Sequence, residues 1–195
     1  MANYKTDVRI VKTKDRLKNS LLALLKEKNF EDITISEICL KASVNRNTFY
    51  SHYQSVKDLL DEIEAQFLEM LLSKIRVDSE SVKDVSEIMA KILICVRENK
   101  ELCKLLFDDN GDKNFLRTIV MFALPSAVQN WSYELNIPED KATKLYYFLI
   151  GGSVNVIEQW LKQDCQEPPI ELAASLNELI LYGQNAYSNT NKIKK

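Results

Sequence analysis

The chain has 195 residues, 46% of them apolar, with only four glycines and four prolines, which excludes collagen-like and low-complexity classes and favours helices. Its 26 basic and 28 acidic residues give a formal charge of −2, and no apolar run approaches the roughly 18 residues that would span a bilayer. The opening MANYKTDVRIVKTKDR is polar and lacks a signal-peptide core, so a cytoplasmic location is expected.

The small net charge hides an asymmetry. Residues 1 to 60 carry 11 Lys/Arg against 7 Asp/Glu, whereas residues 61 to 195 carry 15 against 21. A basic head on an acidic body suits a head that faces nucleic acid. Lys5, Arg9, Lys12 and Lys14 read equally as a flexible arm along phosphates or as a solvated tail. Leu17, Leu21, Leu24 and Leu25 then mark an amphipathic helix from about residue 12 to 28, with Phe30 and Ile33 tying its end to the next helices.

Residues 34 to 58 are the most informative stretch. Thr34 and Glu37 form a capping box, and Ile35, Ile38, Cys39 and Ala42 share one face of the helix it starts. Ser43-Val44-Asn45 is a tight turn in which Val44 is the apolar pin and Asn45 the N-cap of the next helix. Helix-turn-helix turns often carry glycine here, and this one has Ser43. In the second helix, Arg46 to Tyr53, Phe49 and Tyr53 face the domain. Arg46, Asn47, Tyr50 and Ser51 lie on the outer half, flanked by Thr48 and His52. Arg and Asn can each make paired hydrogen bonds to a base edge, and hydroxyls commonly meet phosphates. Ser55 and Asp58 suggest another capping box, whose amides with Lys57 would form a phosphate site.

This stretch resembles the DNA-binding domain of the TetR family of transcriptional regulators. The likeness rests on Ile33-Thr34-Ile35-Ser36-Glu37-Ile38, Ala42-Ser43-Val44, Thr48-Phe49-Tyr50, His52-Tyr53 and Asp58-Leu59-Leu60, within roughly residues 10 to 70. It implies an all-α fold: a three-helix helix-turn-helix domain over residues 1–60, then a helical dimerisation and effector-binding domain over 61–195. It implies double-stranded DNA with a palindromic operator as partner. Residues matching Thr48, Tyr50 and His52 would serve the backbone and those matching Arg46, Asn47 and Ser51 the bases, and Thr34, Asn45 and Lys57 complete the candidate DNA-binding set. Val56 stands where the family usually has lysine, which puts that phosphate contact in question.

The remainder reads as helix throughout: Ser55 towards Ile75, Ser79 to Asn99 with a stripe of Val85, Ile88, Met89, Ile92 and Val96, and a short one to Phe107. The Asp108–Asp112 loop lacks the spaced ligands of an EF-hand. From Lys113 to about Leu135 the helix is expected to be interrupted at Pro125. Met89, Leu93, Leu106, Phe115, Met121, Phe122 and Trp131 are the candidates for lining an effector pocket there, each equally readable as core. Pro138-Glu139-Asp140 opens a helix containing YYFLIGGSVNVIEQWL, apolar on more than one face, in which Gly151-Gly152 suggests close backbone packing. Pro168-Pro169 begins the last helix, striped by Leu172, Leu176, Leu179, Ile180 and Gly183, and the terminal SNTNKIKK reads as disordered. In the family such terminal helices pair two subunits, which makes Tyr147, Gly151, Gly152, Val156, Leu176 and Ile180 the interface candidates. The GGSVNVIEQWL pattern and the double proline are also similar to a subgroup that includes co-activators of dihydroxyacetone kinase operons.

The four cysteines show no paired spacing and no neighbouring histidine, so neither zinc nor disulfides are expected. One histidine, no glycine-rich phosphate loop and no nucleophile elbow argue against an enzyme, and no cofactor is implied. The expected function is a homodimeric DNA-binding repressor relieved by a small-molecule effector. The alternatives are a co-activator of a metabolic operon and a helical protein-interaction module without specific DNA binding.

Overall fold

A computed structural model of the chain describes residues 2–76, 85–107 and 115–192. Within these, the side chains of 2–7, 75, 76, 85, 116–120, 122, 123, 126 and 187–192 are not described. The described residues form nine α-helices and one 3₁₀ turn: α1 (Ala2–Leu25), the turn Phe30–Asp32, α2 (Ile35–Ala42), α3 (Arg46–Tyr50), α4 (Val56–Arg76), α5 (Val85–Glu98), α6 (Lys100–Phe107), α7 (Phe115–Leu135), α8 (Glu139–Lys162) and α9 (Pro169–Lys192). They divide into two compact units, Met1–Met70 with Leu105–Lys113, and Leu71–Lys104 with Asn114–Lys195.

In the first unit the apolar stripes converge. Leu17, Leu21, Leu24 and Leu25 of α1, Ile38, Cys39 and Ala42 of α2, Phe49 and Tyr53, and Leu59, Leu60 and Ile63 of α4 are all buried. Charge fixes α1 to α4: Lys14 and Lys18 meet Glu62 at 2.8 and 2.7 Å, and Lys14 also sits 5.3 Å above the Tyr53 ring. Burial alone would raise the Glu62 carboxyl, but the two ammonium groups hold it down at about 2. The structure shows neither the flexible arm nor the solvated tail that the sequence left equally open: helix begins at Ala2, and Lys14 forms a structural ion pair.

In the second unit α5 packs on α9, α7 on α8, and α8 on α9. Helix α7 runs unbroken through Pro125, contrary to the interruption expected. Pro125 is exposed, so its ring turns to solvent, and the only backbone bond it must forgo is the one to the Met121 carbonyl. Val128 of α7 forms a core with Ile137, Ala142 and Tyr146, against which Leu124, Trp131 and Ile150 pack. Helices α8 and α9 begin where the prolines predict, after Pro138 and at Pro169. The terminal helix runs on through Lys192, so most of the tail expected to be disordered is helical. Between α8 and α9, Lys100 and Lys104 both reach Asp164 at 2.8 Å, and this double pairing lowers its carboxyl to about 2. The acidic Asp108–Asp112 loop and the Ser79–Asp84 start of the expected helix lie outside the described residues.

Candidate nucleic-acid interface

The helix pair is built by caps. Thr34 Oγ1 accepts from the Glu37 amide at 3.4 Å, and Glu37 Oε2 accepts from the Thr34 amide at 2.9 Å, closing the expected capping box. Lys28 reinforces it from the turn that follows α1, 2.7 Å from Glu37. Lys28 first, and then Thr34, lower the Glu37 carboxyl to about 2. Ser43 takes a left-handed conformation (φ 52°, ψ 49°), the geometry for which glycine is the common choice. Arg16 of α1 donates to the Ser43 carbonyl at 3.0 Å and so fixes the turn from behind.

Asn45 caps α3 as expected, its Oδ1 accepting from the Thr48 amide at 2.7 Å and the Thr48 hydroxyl at 2.9 Å. The helix is shorter than the sequence suggests and ends at Tyr50. Ser51 is its C-cap, with the Ser51 hydroxyl donating to the Thr48 carbonyl at 2.7 Å. Five residues cannot hold a helix by propensity alone. Burial of Phe49 and Tyr53, whose ring centroids are 5.8 Å apart, holds it instead. The other side is open: Asn45, Arg46, Asn47, Tyr50 and Ser51 are exposed, and Thr48 and His52 are half-buried. One surface therefore presents a guanidinium, amides, hydroxyls and an imidazole on a rigid base.

Two features depart from the sequence reading. At the start of α4 the Ser55 hydroxyl accepts from the Asp58 amide at 3.1 Å, but Asp58 Oδ2 reaches one residue further back, to the Gln54 amide at 2.9 Å. That carboxylate already occupies the first turn, and Lys57 pairs with Asp61 and, at 3.8 Å, with Glu64. The phosphate site expected around Lys57 is thus internally neutralised. The sequence reading also missed the hydrogen bond from Arg46 Nη2 to the Ser36 hydroxyl on α2, which joins residues ten apart and leaves no periodic signal.

In the second unit the effector candidates do not converge on one described cavity. Leu93 and Phe115 are buried core, Met89 is half-buried, Met121 is exposed, and Trp131 meets Tyr146 in a tilted ring contact at 5.7 Å. Leu106 is buried and is grouped with the first unit, and the Phe122 side chain lies outside those described. A groove of about 400 Å³ lies elsewhere, between Ser86 of α5 and Ala174, Asn177, Leu181 and Asn185 of α9.

The interface candidates also separate. Tyr147 and Val156 are exposed, and a Cβ on Gly151 or Gly152 would meet nothing within 4 Å, so neither glycine serves close packing inside the chain. That role falls to Gly183, where a Cβ would lie 2.7 Å from Leu149 Cδ2. Leu176 and Ile180, at 2% and 5% exposure, belong to the subunit's own core. Other apolar side chains open on the same helices include Phe148 at 78%, Leu179 at 62% and Tyr182 at 66%.

The four cysteines are free and buried. Burial pushes the Cys103 thiol up to about 12, with Cys95 and Cys165 adding to the shift, which suppresses thiolate chemistry there. Among the described residues no group of His, Cys, Asp or Glu side chains is placed to hold a metal ion, and no helix is long and apolar enough to cross a membrane.

A capped helix pair with a polar, exposed second helix on a three-helix head defines a helix-turn-helix DNA-binding protein. Comparison with known proteins makes this specific. Residues 20–63 match the family model of bacterial regulatory proteins of the tetR family, and residues 83–182 match that of a transcriptional regulator C-terminal region. The chain belongs to the TetR family of transcriptional regulators. It is similar to a TetR transcriptional regulator from Streptococcus agalactiae 2603V, with a TM-score of 0.69 and 26% identity over 91% of this chain and 98% of that one. The fatty acid degradation regulator FadR from Bacillus halodurans shares the fold, with a TM-score of 0.63 at 14% identity over 86% and 94% of the two chains. The HTH-type transcriptional regulator YxbF of Bacillus subtilis (strain 168) is 30% identical over 92 residues, which cover 45% of this chain but only 24% of YxbF.

Proposed function

We propose that the chain acts as a homodimer that binds a palindromic operator through α3 and represses transcription until a small-molecule effector binds its second unit. The observation that carries the DNA contact is the outer face of α3. Arg46, Asn47, Tyr50 and Ser51 are exposed there, while the Asn45 cap and buried Phe49 hold their backbone. Arg46 and Asn47 face the bases. Thr48, Tyr50 and His52 take phosphates beside the Thr34 and Asn45 turns, and Lys57 joins them only by leaving Asp61. Two-fold pairing through the open α8–α9 face, Tyr147, Phe148, Gly151, Gly152, Val156, Leu179 and Tyr182, places two heads on half-sites about 34–36 Å apart or a multiple of that. Effector binding shifts the population of dimers away from the operator-competent spacing.

Selection of random-sequence duplexes by the full chain tests this. An enriched palindrome that binds two chains per duplex supports the reading. Enrichment of nothing above the input library would leave a helical interaction module as the better description.

A further inference from the structure

We propose that Ser36 is a positioning residue for DNA recognition: its hydroxyl accepts a hydrogen bond from Arg46 Nη2 and fixes where the guanidinium meets the operator. This rests on the reading of α3 as the DNA-contacting helix and assigns a role to a residue on α2. Arg46 is the first residue of α3 and is exposed, so its long side chain would otherwise sample many rotamers that binding must suppress. The Ser36 bond removes much of that freedom before DNA arrives.

The chemistry of the anchor matters. Other basic side chains of this unit are held by carboxylates: Lys14 and Lys18 by Glu62, Lys28 by Glu37, Lys57 by Asp61. Their charge is thereby neutralised. Among the described residues Arg46 has no carboxylate partner, and a serine hydroxyl orders it while leaving the full positive charge. A guanidinium has five N–H donors, and Ser36 engages one of its terminal nitrogens, so an edge remains for a guanine or a phosphate. The same placement brings the Arg46 charge near Cys39, one turn beyond Ser36. Burial raises that thiol, and the Arg46 charge acts in the opposite direction.

The test is a double-mutant cycle on the duplex most enriched from a random library by the wild-type chain, with every single-base substitution of that duplex. Ser36→Ala should lower discrimination at one base pair per half-site by about two- to tenfold, the cost of immobilising one rotamer-rich side chain on binding. The salt dependence should stay unchanged, because no charge is lost. Ser36→Thr should retain discrimination, whereas Ser36→Asp should reduce affinity on all duplexes by neutralising the guanidinium. In an Arg46→Ala background, Ser36→Ala should change nothing further. An equal Ser36→Ala effect with and without Arg46 would overturn the proposal and make Ser36 a direct contact or a part of the α2 cap. Unchanged discrimination in the single variant would overturn it as well. Failure of the wild-type chain to enrich any duplex would instead remove the DNA reading on which it rests.

Discussion

Replacing Gly152 with leucine should act in opposite directions on the subunit and on the dimer. Within the chain Gly152 is exposed and a Cβ there would meet nothing within 4 Å, so the new side chain starts into open space. Glycine inside a helix is roughly 0.8–1 kcal/mol less favourable than alanine, and leucine is close to alanine, so α8 itself should gain nearly that amount. Across a two-fold interface the same side chain intrudes on the partner, and overpacking costs about 1–3 kcal/mol per site. Symmetry doubles this to about 2–6 kcal/mol, which raises the dimer dissociation constant between about thirtyfold and 10⁴-fold. Sedimentation velocity over a concentration series reads the dissociation constant, and circular dichroism confirms that helix content is unchanged. Operator affinity at low protein concentration should fall in parallel. A Gly152→Leu chain as dimeric as the wild type would refute the placement of α8 in the interface. A wild-type chain that sediments as a monomer at micromolar concentration would refute the paired-head mechanism altogether.

The head supplies further tests. Arg46→Ala should weaken operator binding by about 1–3 kcal/mol and relax one base position, read by competition with substituted duplexes; equal loss on random DNA would make Arg46 a backbone contact. Asn45→Ala removes the side-chain N-cap of a five-residue helix and should cost about 1 kcal/mol, measured by urea unfolding, with a larger fall in DNA affinity as α3 frays. Phe49→Ala deletes a fully buried ring and should cost about 3–5 kcal/mol, enough to unfold the head at ambient temperature, visible as lost amide protection in α1 to α4. Glu37 and Glu62 are both lowered to about 2, against about 4.3 in an unfolded chain. Their contribution to stability is therefore complete above the unfolded value and is lost as pH falls from about 4.3 through 2. Glu37→Gln should flatten the stability–pH curve in that window, and an unchanged slope would contradict the Lys28–Glu37–Thr34 network.

What the sequence discloses here is what chain neighbours decide. The Thr34–Glu37 box, the Asn45 cap and the prolines that open α8 and α9 are local chemistry, and each is found where its residues predict. Phe49 and Tyr53 are also legible, because a four-residue spacing between aromatics fixes a shared face. Contacts between elements are not legible. Arg46 to Ser36, Arg16 to the Ser43 carbonyl and Lys28 to Glu37 depend on how helices pack, and nothing in the spacing encodes them. The last helix shows why periodicity fails when a helix is apolar on two sides. Leu176 and Ile180 line one face of α9 and Leu179 and Tyr182 another, and only packing reveals that the first pair belongs to the subunit's own core. Gly151 and Gly152 invite the rule that mid-helix glycines mark close packing, but inside the chain that rule applies to Gly183. Pro125 misleads in a different way: a ring facing solvent costs one hydrogen bond without ending the helix.

The most direct measurement is the affinity of the full chain for its selected palindromic duplex as a function of salt, with the stoichiometry taken from the same anisotropy titrations. Two chains per duplex are expected, with log K falling linearly against log salt by about 0.9 for each phosphate engaged. A single half-site should bind far more weakly than the full palindrome. Equal affinity for a full palindrome, a half-site and a scrambled duplex at every salt concentration would contradict sequence-specific binding by a paired helix-turn-helix head.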